Sequence, residues 1–187
     1  MSGETFEWWK SMVEKNPDSI IISAHHYMLK NTTVASGDWE GMRKDNKGEW
    51  KSHYHGFKPK GTPIGASYLY FVGSKPDSGA FENFLKDHQS SVAFWLGGHT
   101  HTPPDDTYGD KSHVETQWGT HFINAASLSK YHGTTCVPQS RVMTFEEGST
   151  KVRIRCYMHD DKPYPEGWYD KAERVVELSK PFRMAAR

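Results

Sequence analysis

Residues 6–15 (FEWWKSMVEK) space Phe6, Trp9, Met12 and Val13 at three- and four-residue intervals with charges between them. This spacing predicts an amphipathic helix, and Asn16-Pro17 stops it. Residues 19–24 (SIIISA) then form a short β-branched run of the kind found in a strand buried on both faces. The run leads straight into His25-His26. The same order recurs further on. Residues 81–88 (FENFLKDH) read as an amphipathic helix and 92–96 (VAFWL) as a buried strand, and Gly97-Gly98-His99-Thr100-His101 follows at once. Two αβ units therefore each deliver histidine to the carboxyl end of a strand, which is where open α/β sheets place their ligands.

Between the units, residues 31–80 hold eight of the 16 glycines and no helical period. They are expected to form a long irregular insertion, with a hairpin around residues 68–72 (YLYFV). After the second unit, residues 120–124, 140–145 and 151–157 alternate as strands do, the last two joined by the turn Glu147-Gly148-Ser149. They predict an antiparallel finish to the sheet. Residues 163–187 begin Pro-rich, carry charge over 171–180 and end polar, which predicts a surface tail. The expected fold class is α/β, with residues 1–187 as a single domain.

Lys+Arg and Asp+Glu both number 23, so nucleic acid and anionic membranes are not the expected partners. No apolar run approaches the roughly 18–20 residues of a membrane span, and the amino-terminal residues lack a signal-peptide build. A cytoplasmic location is expected. Two cysteines, Cys136 and Cys156, are too few for a disulfide framework and read as reduced thiols. The count that changes the picture is histidine, at 11.

Gly98-His99-Thr100-His101 places two imidazoles two residues apart on a turn that glycines open. Neutral imidazole is a common ligand for divalent transition metals, and holding two on one turn lowers the ordering cost of a site. His25 holds the same position on the other αβ unit, and neighbouring parallel strands would bring it within reach of His99. His26 reads as a supporting or packing residue. His53-Tyr54-His55 repeats the spacing inside the glycine-rich insertion, where nothing fixes its geometry, and is a lesser candidate for a supporting or substrate role. Around it, residues 41–60 interleave basic and aromatic side chains; this is either a lobe for an anionic or nucleotide substrate or a solvated loop. His132, Cys136, Cys156 and His159 have spacings that a structural zinc site would use, although packing is the plainer account.

The run I-I-I-S-A-H-H followed by V-A-F-W-L-G-G-H-T-H resembles the carboxyl-terminal half of the calcineurin-like metallophosphoesterases. The resemblance covers residues 5–157, with 31–80 unmatched. It implies an αββα sandwich with mixed sheets and two divalent metal ions (Mn, Fe, Zn, Ni or Co) that hydrolyse phosphate mono- or diesters. It also implies that His25 and His99 ligate one ion and His101 the other. The family's D-x-H and G-N-H-[DE] motifs are absent from these 187 residues, and Gly37-Asp38 and Gly109-Asp110 fall out of order for its G-D motif. The chain is therefore expected to be an incomplete fragment lacking the amino-terminal half. It would have no general-acid residue of its own, hold one ion at most and be inactive in isolation. Its expected partners are the missing half, or a second copy paired through an exposed sheet. The alternative is a non-catalytic metal-binding or interaction module that uses the same histidines.

Overall fold

The computed structural model describes residues 3–29, 31–34, 36, 42–44, 47, 50–52, 79–98, 102–107, 110–126, 128, 138–162 and 164–184. Helix α1 (Gly3–Lys15) starts three residues earlier than predicted and buries Trp9 and Val13. Met12, predicted on the same apolar stripe, is exposed. Asn16 closes the helix by donating its side-chain amide to the Met12 carbonyl at 2.7 Å. Helix α2 (Ala80–Asp87) buries Phe81, Phe84 and Leu85, and His88 follows as its cap with its ring stacked on Phe84.

Four strands form the first sheet: β1 (Ile22–Ala24), β4 (Phe94–Gly97), β5 (Val114–Gln117) and β6 (Thr120–Asn124), in the order β1-β4-β6-β5. The β1–β4 and β4–β6 pairs are parallel, and β5 runs antiparallel to β6. The second sheet is antiparallel, in the order β10-β8-β7, and contains β7 (Gln139–Phe145), β8 (Lys151–Met158) and β10 (Arg174–Glu177), with β9 (Gly167–Trp168) also on β8. A separate hairpin pairs β2 (Met42–Lys44) with β3 (Trp50–Ser52).

Strand alternation sorts the first sheet between two cores. Trp95 and Phe122 face the helices and join Trp9, Phe81, Phe84 and Leu85. Phe94, Leu96, Val114 and Ile123 face the other way and meet Val152, Ile154 and Leu178 of the second sheet. The layers are thus helices, mixed sheet and antiparallel sheet. His121 ties the two sheets together: its Nε2 donates to the Glu177 carbonyl at 3.0 Å, and the Thr116 hydroxyl donates to Nδ1 at 2.8 Å. A carbonyl can only accept, so this is the tautomer the contacts require. No described helix is long and apolar enough to cross a membrane.

Three expectations need correction. The run 19–24 is not a strand buried on both faces: β1 spans three residues, pairs with β4 alone among the described strands, and leaves Ile22 46% exposed. The insertion is not irregular throughout. Thr32, Thr33, Val34 and Ser36 are buried, Thr32 N–H and Thr33 N–H both donate to the Ser36 hydroxyl, and Val34 N–H donates to the Ser112 carbonyl. The β2–β3 hairpin falls inside the same insertion, whereas the hairpin expected at 68–72 lies outside the described residues. Finally, 163–187 is not simply a surface tail, because β10 pairs with β8 along its length and Leu178 enters the inter-sheet core.

Candidate functional site

The parallel register sets Ala24 beside Leu96, and backbone hydrogen bonds carry the pairing past both strand ends. His25 N–H donates to the Leu96 carbonyl at 2.8 Å, and Gly98 N–H donates to the His26 carbonyl at 3.0 Å. His25-His26 and Gly97-Gly98 therefore lie side by side, as the two αβ units predicted. Both glycines are places of close approach. A Cβ on Gly97 would run into Met28 Sδ and stand 2.9 Å from the Tyr27 carbonyl oxygen, and one on Gly98 would stand 3.1 Å from the Ala126 carbonyl oxygen. His99 and His101 follow this turn but, like His53 and His55, lie outside the described residues.

His25 points to the helical face of the sheet. Its ring stacks on the Trp95 indole and meets Phe81 edge-on at 5.9 Å. Trp95 also donates its indole N–H to the Tyr27 carbonyl at 3.1 Å, so it holds both the ring and the turn that carries it. Burial pushes the His25 pKa down to about 4, which leaves the imidazole neutral at working pH. Its Nε2 is sealed from solvent and has no hydrogen-bond partner among the described residues. Buried polar atoms are ordinarily satisfied, so this nitrogen stands out. His26 behaves differently: its side chain is exposed and its ring lies edge-on to Tyr27 at 4.7 Å.

Sequence reasoning missed a second cluster at this end of the sheet. Because β5 runs antiparallel, its amino end lies beside the carboxyl ends of the parallel strands, and Asn124 N–H donates to the His113 carbonyl. His113 is buried, with Nδ1 3.0 Å from the Asn124 carbonyl and Nε2 2.6 Å from the Pro103 carbonyl and 3.1 Å from the Thr102 hydroxyl. Burial first, then the charge of Arg141, pushes its pKa down to about 4, against the pull of the two carbonyls and Asp106. Next to it, the Gln139 amide donates to the Thr102 carbonyl at 3.2 Å. Asp105 accepts from the Tyr169 hydroxyl at 2.6 Å and the Tyr164 hydroxyl at 3.3 Å, tying the residues that follow the G-H-T-H motif in sequence to the second sheet side. Burial and this carboxylate push the Tyr169 pKa up to about 12. The signal for this cluster was slight: a lone His at the start of a polar four-residue strand.

The zinc spacing of Cys156 and His159 does not survive alternation. Cys156 is buried beside Gln139, whereas His159 is exposed, its Nε2 2.7 Å from the Ser140 hydroxyl. Cys136 and His132 lie outside the described residues. Among the described residues, no group of three or more His, Cys, Asp or Glu is placed to hold a metal ion; the candidate set includes His99 and His101, which are not among them. Comparison with protein-family models, curated proteins and solved structures finds no match to this chain.

Proposed function

We propose that the chain carries the carboxyl-terminal metal site of a cytoplasmic, metal-dependent phosphoesterase of the calcineurin-like kind. In this reading His25, His99 and His101 hold a divalent transition metal, and the layered sheets are part of an αββα sandwich. The observation that carries it is the buried Nε2 of His25, without a hydrogen-bond partner among the described residues, beside Gly97-Gly98. A neutral imidazole with a free lone pair, fixed by an aromatic stack, suits a metal ligand, and a merely structural histidine would be expected to find a donor.

The residues divide the work simply. His25 stays neutral, so its lone pair is available without loss of a proton. Trp95 sets the ring plane, and Gly97-Gly98 let the end of β4 pass close to residues 27 and 126, with His99 and His101 next in sequence. A divalent ion held there would polarise a phosphoryl oxygen of a phosphate mono- or diester. Three imidazoles without a bridging carboxylate offset little positive charge, so a single ion is the expected load and turnover by these 187 residues alone is expected to be negligible.

The test is metal content after loading with Mn, Ni, Co or Zn and desalting, with generic phosphate mono- and diester assays on the same samples. About one ion per chain, lost in His25→Ala and His99→Ala, supports the site. Failure of the wild type to retain any ion overturns it. If turnover appears once a polypeptide supplying the family's amino-terminal motifs is added, the hydrolase reading holds. An ion bound with no turnover even then identifies a non-catalytic metal-binding module.

A further inference from the structure

Arg141 sits on β7 opposite Cys156 of β8, on the face that turns Gln139, Ile154 and Met158 inward. The residue as a whole is only partly covered, because β7 is an edge strand. Its three guanidinium nitrogens nevertheless are sealed from solvent, and none meets a hydrogen-bond acceptor among the described residues. Five N–H donors and a full positive charge are thus enclosed with no described group to receive them. Burial lowers the pKa, yet an arginine remains charged throughout the physiological range. The charged neighbours do not offset it either: Cys156, whose thiolate would attract it, is kept protonated by burial, and Arg174 repels it. A buried charge is tolerated when it is paired, so the arrangement lacks an anion.

His113 and Arg174, which both act electrostatically with Arg141, line a cavity of about 160 Å³ together with Lys171, Pro104, Asp105 and Asp106; Arg141 itself lies behind that lining. That volume exceeds the space of several waters and accommodates a tetrahedral oxyanion. Of the two carboxylates, Asp105 is engaged by the Tyr164 and Tyr169 hydroxyls, and Asp106 lies on the His113 side. Lys171 and Arg174 match Asp105 and Asp106 in formal charge, so the enclosed Arg141 is the positive charge left over in this group.

We propose that Arg141 is the buried arm of an oxyanion site at this end of the two sheets. It takes a phosphoryl group, free or as a monoester, on the paired N–H fork of its guanidinium, and the cavity lined by His113, Lys171 and Arg174 is the route of entry. A planar guanidinium matches phosphate oxygens two at a time, which a lysine cannot do. The site is independent of any metal at His25, His99 and His101.

The experiment is calorimetric titration and thermal melting of the full chain in excess chelator at constant ionic strength, with inorganic phosphate and methyl phosphate as separate probes. Chelation keeps a failed metal site from mimicking a failed anion site. Wild type should show saturable binding and a melting temperature that rises by several degrees at a hundredfold excess over Kd. The tighter of the two probes identifies the free ion or the ester as the occupant. Arg141→Met should weaken binding at least tenfold, yet melt higher than wild type without phosphate because an uncompensated charge has been removed. Absence of saturable binding by either probe overturns the proposal, as does binding that survives unchanged in Arg141→Met. So does an Arg141→Met chain that melts lower or fails to fold in phosphate-free buffer, since the guanidinium would then have an acceptor within the chain.

Discussion

The imidazole of His25 lies flat on the indole of Trp95, their ring centroids 3.9 Å apart and their planes within 9°. Seventy residues separate the two in sequence, and the parallel β1–β4 register alone brings them together. The stack fixes the ring plane and leaves Nε2 buried without a hydrogen-bond partner among the described residues.

Trp95→Phe keeps an aromatic face under His25 but removes the indole N–H that Tyr27 accepts. It is expected to cost about 1–3 kcal/mol of stability and to weaken divalent-metal binding about tenfold, as loss of a ligand-orienting group does. Chemical denaturation and metal titration on one preparation separate the two effects. Metal affinity unchanged from wild type would remove Trp95 from any positioning role.

Gly97→Ala should destabilise through overpacking rather than through backbone strain, because the new methyl meets Met28 Sδ and the Tyr27 carbonyl on a neighbouring segment. A loss of about 1–3 kcal/mol is expected, seen as a lower denaturant midpoint at constant m-value. A midpoint equal to wild type would show that the two turns are looser than they stand here.

Stability should fall with acid through His113. Its folded pKa is lowered to about 4 from the ordinary 6.5, so the unfolded chain binds the proton more readily between those values. The contribution is complete above pH 6.5 and is lost as pH drops towards 4, by at most about 1.4 kcal/mol per pH unit. Arg141 and Asp106 are the charges that act on the ring, the first lowering and the second raising its pKa. His113→Gln should reduce the slope of the stability profile over pH 4–6.5 in the presence of chelator, the remainder coming from His25, whose pKa is also pushed down to about 4. An unchanged slope would assign the acid sensitivity to other groups.

Ile22 is half exposed on a strand that has one described neighbour. An open edge with apolar surface recruits another strand, so the chain is expected to self-associate through β1. Ile22→Lys should shift sedimentation or light scattering towards the monomer, since a charged edge resists pairing. A wild-type monomer at high concentration would refute this route.

Much of the architecture was legible in local pattern. The helical period of residues 6–15 and 81–88 and the apolar runs ending at Leu96 and Asn124 specify their elements, because each carries enough apolar spacing to declare which face is buried. The turn at Glu147-Gly148-Ser149 likewise announced the β7–β8 pair. By contrast, β5 (VETQ) and β10 (RVVE) are four residues long, with three and two polar residues respectively. Their strand state comes from hydrogen bonds to β6 and β8 rather than from any pattern of their own.

For the site, sequence specified the arrival of histidines at two strand ends and the glycines that precede His99, because helix–strand–turn order is local. Which strand is an edge, and therefore that Ile22 is exposed, depends on how many neighbours the sheet supplies. That His25 rests on Trp95 follows from a parallel pairing between distant segments. Arg141 read as one more polar position in an alternating strand, and the register that sets it opposite Cys156 is what encloses its guanidinium. Local propensity acts over a few residues, whereas burial and charge pairing depend on which distant segments meet. The elements could therefore be read from the chain, and the state of His25 and Arg141 emerged once the two sheets had packed.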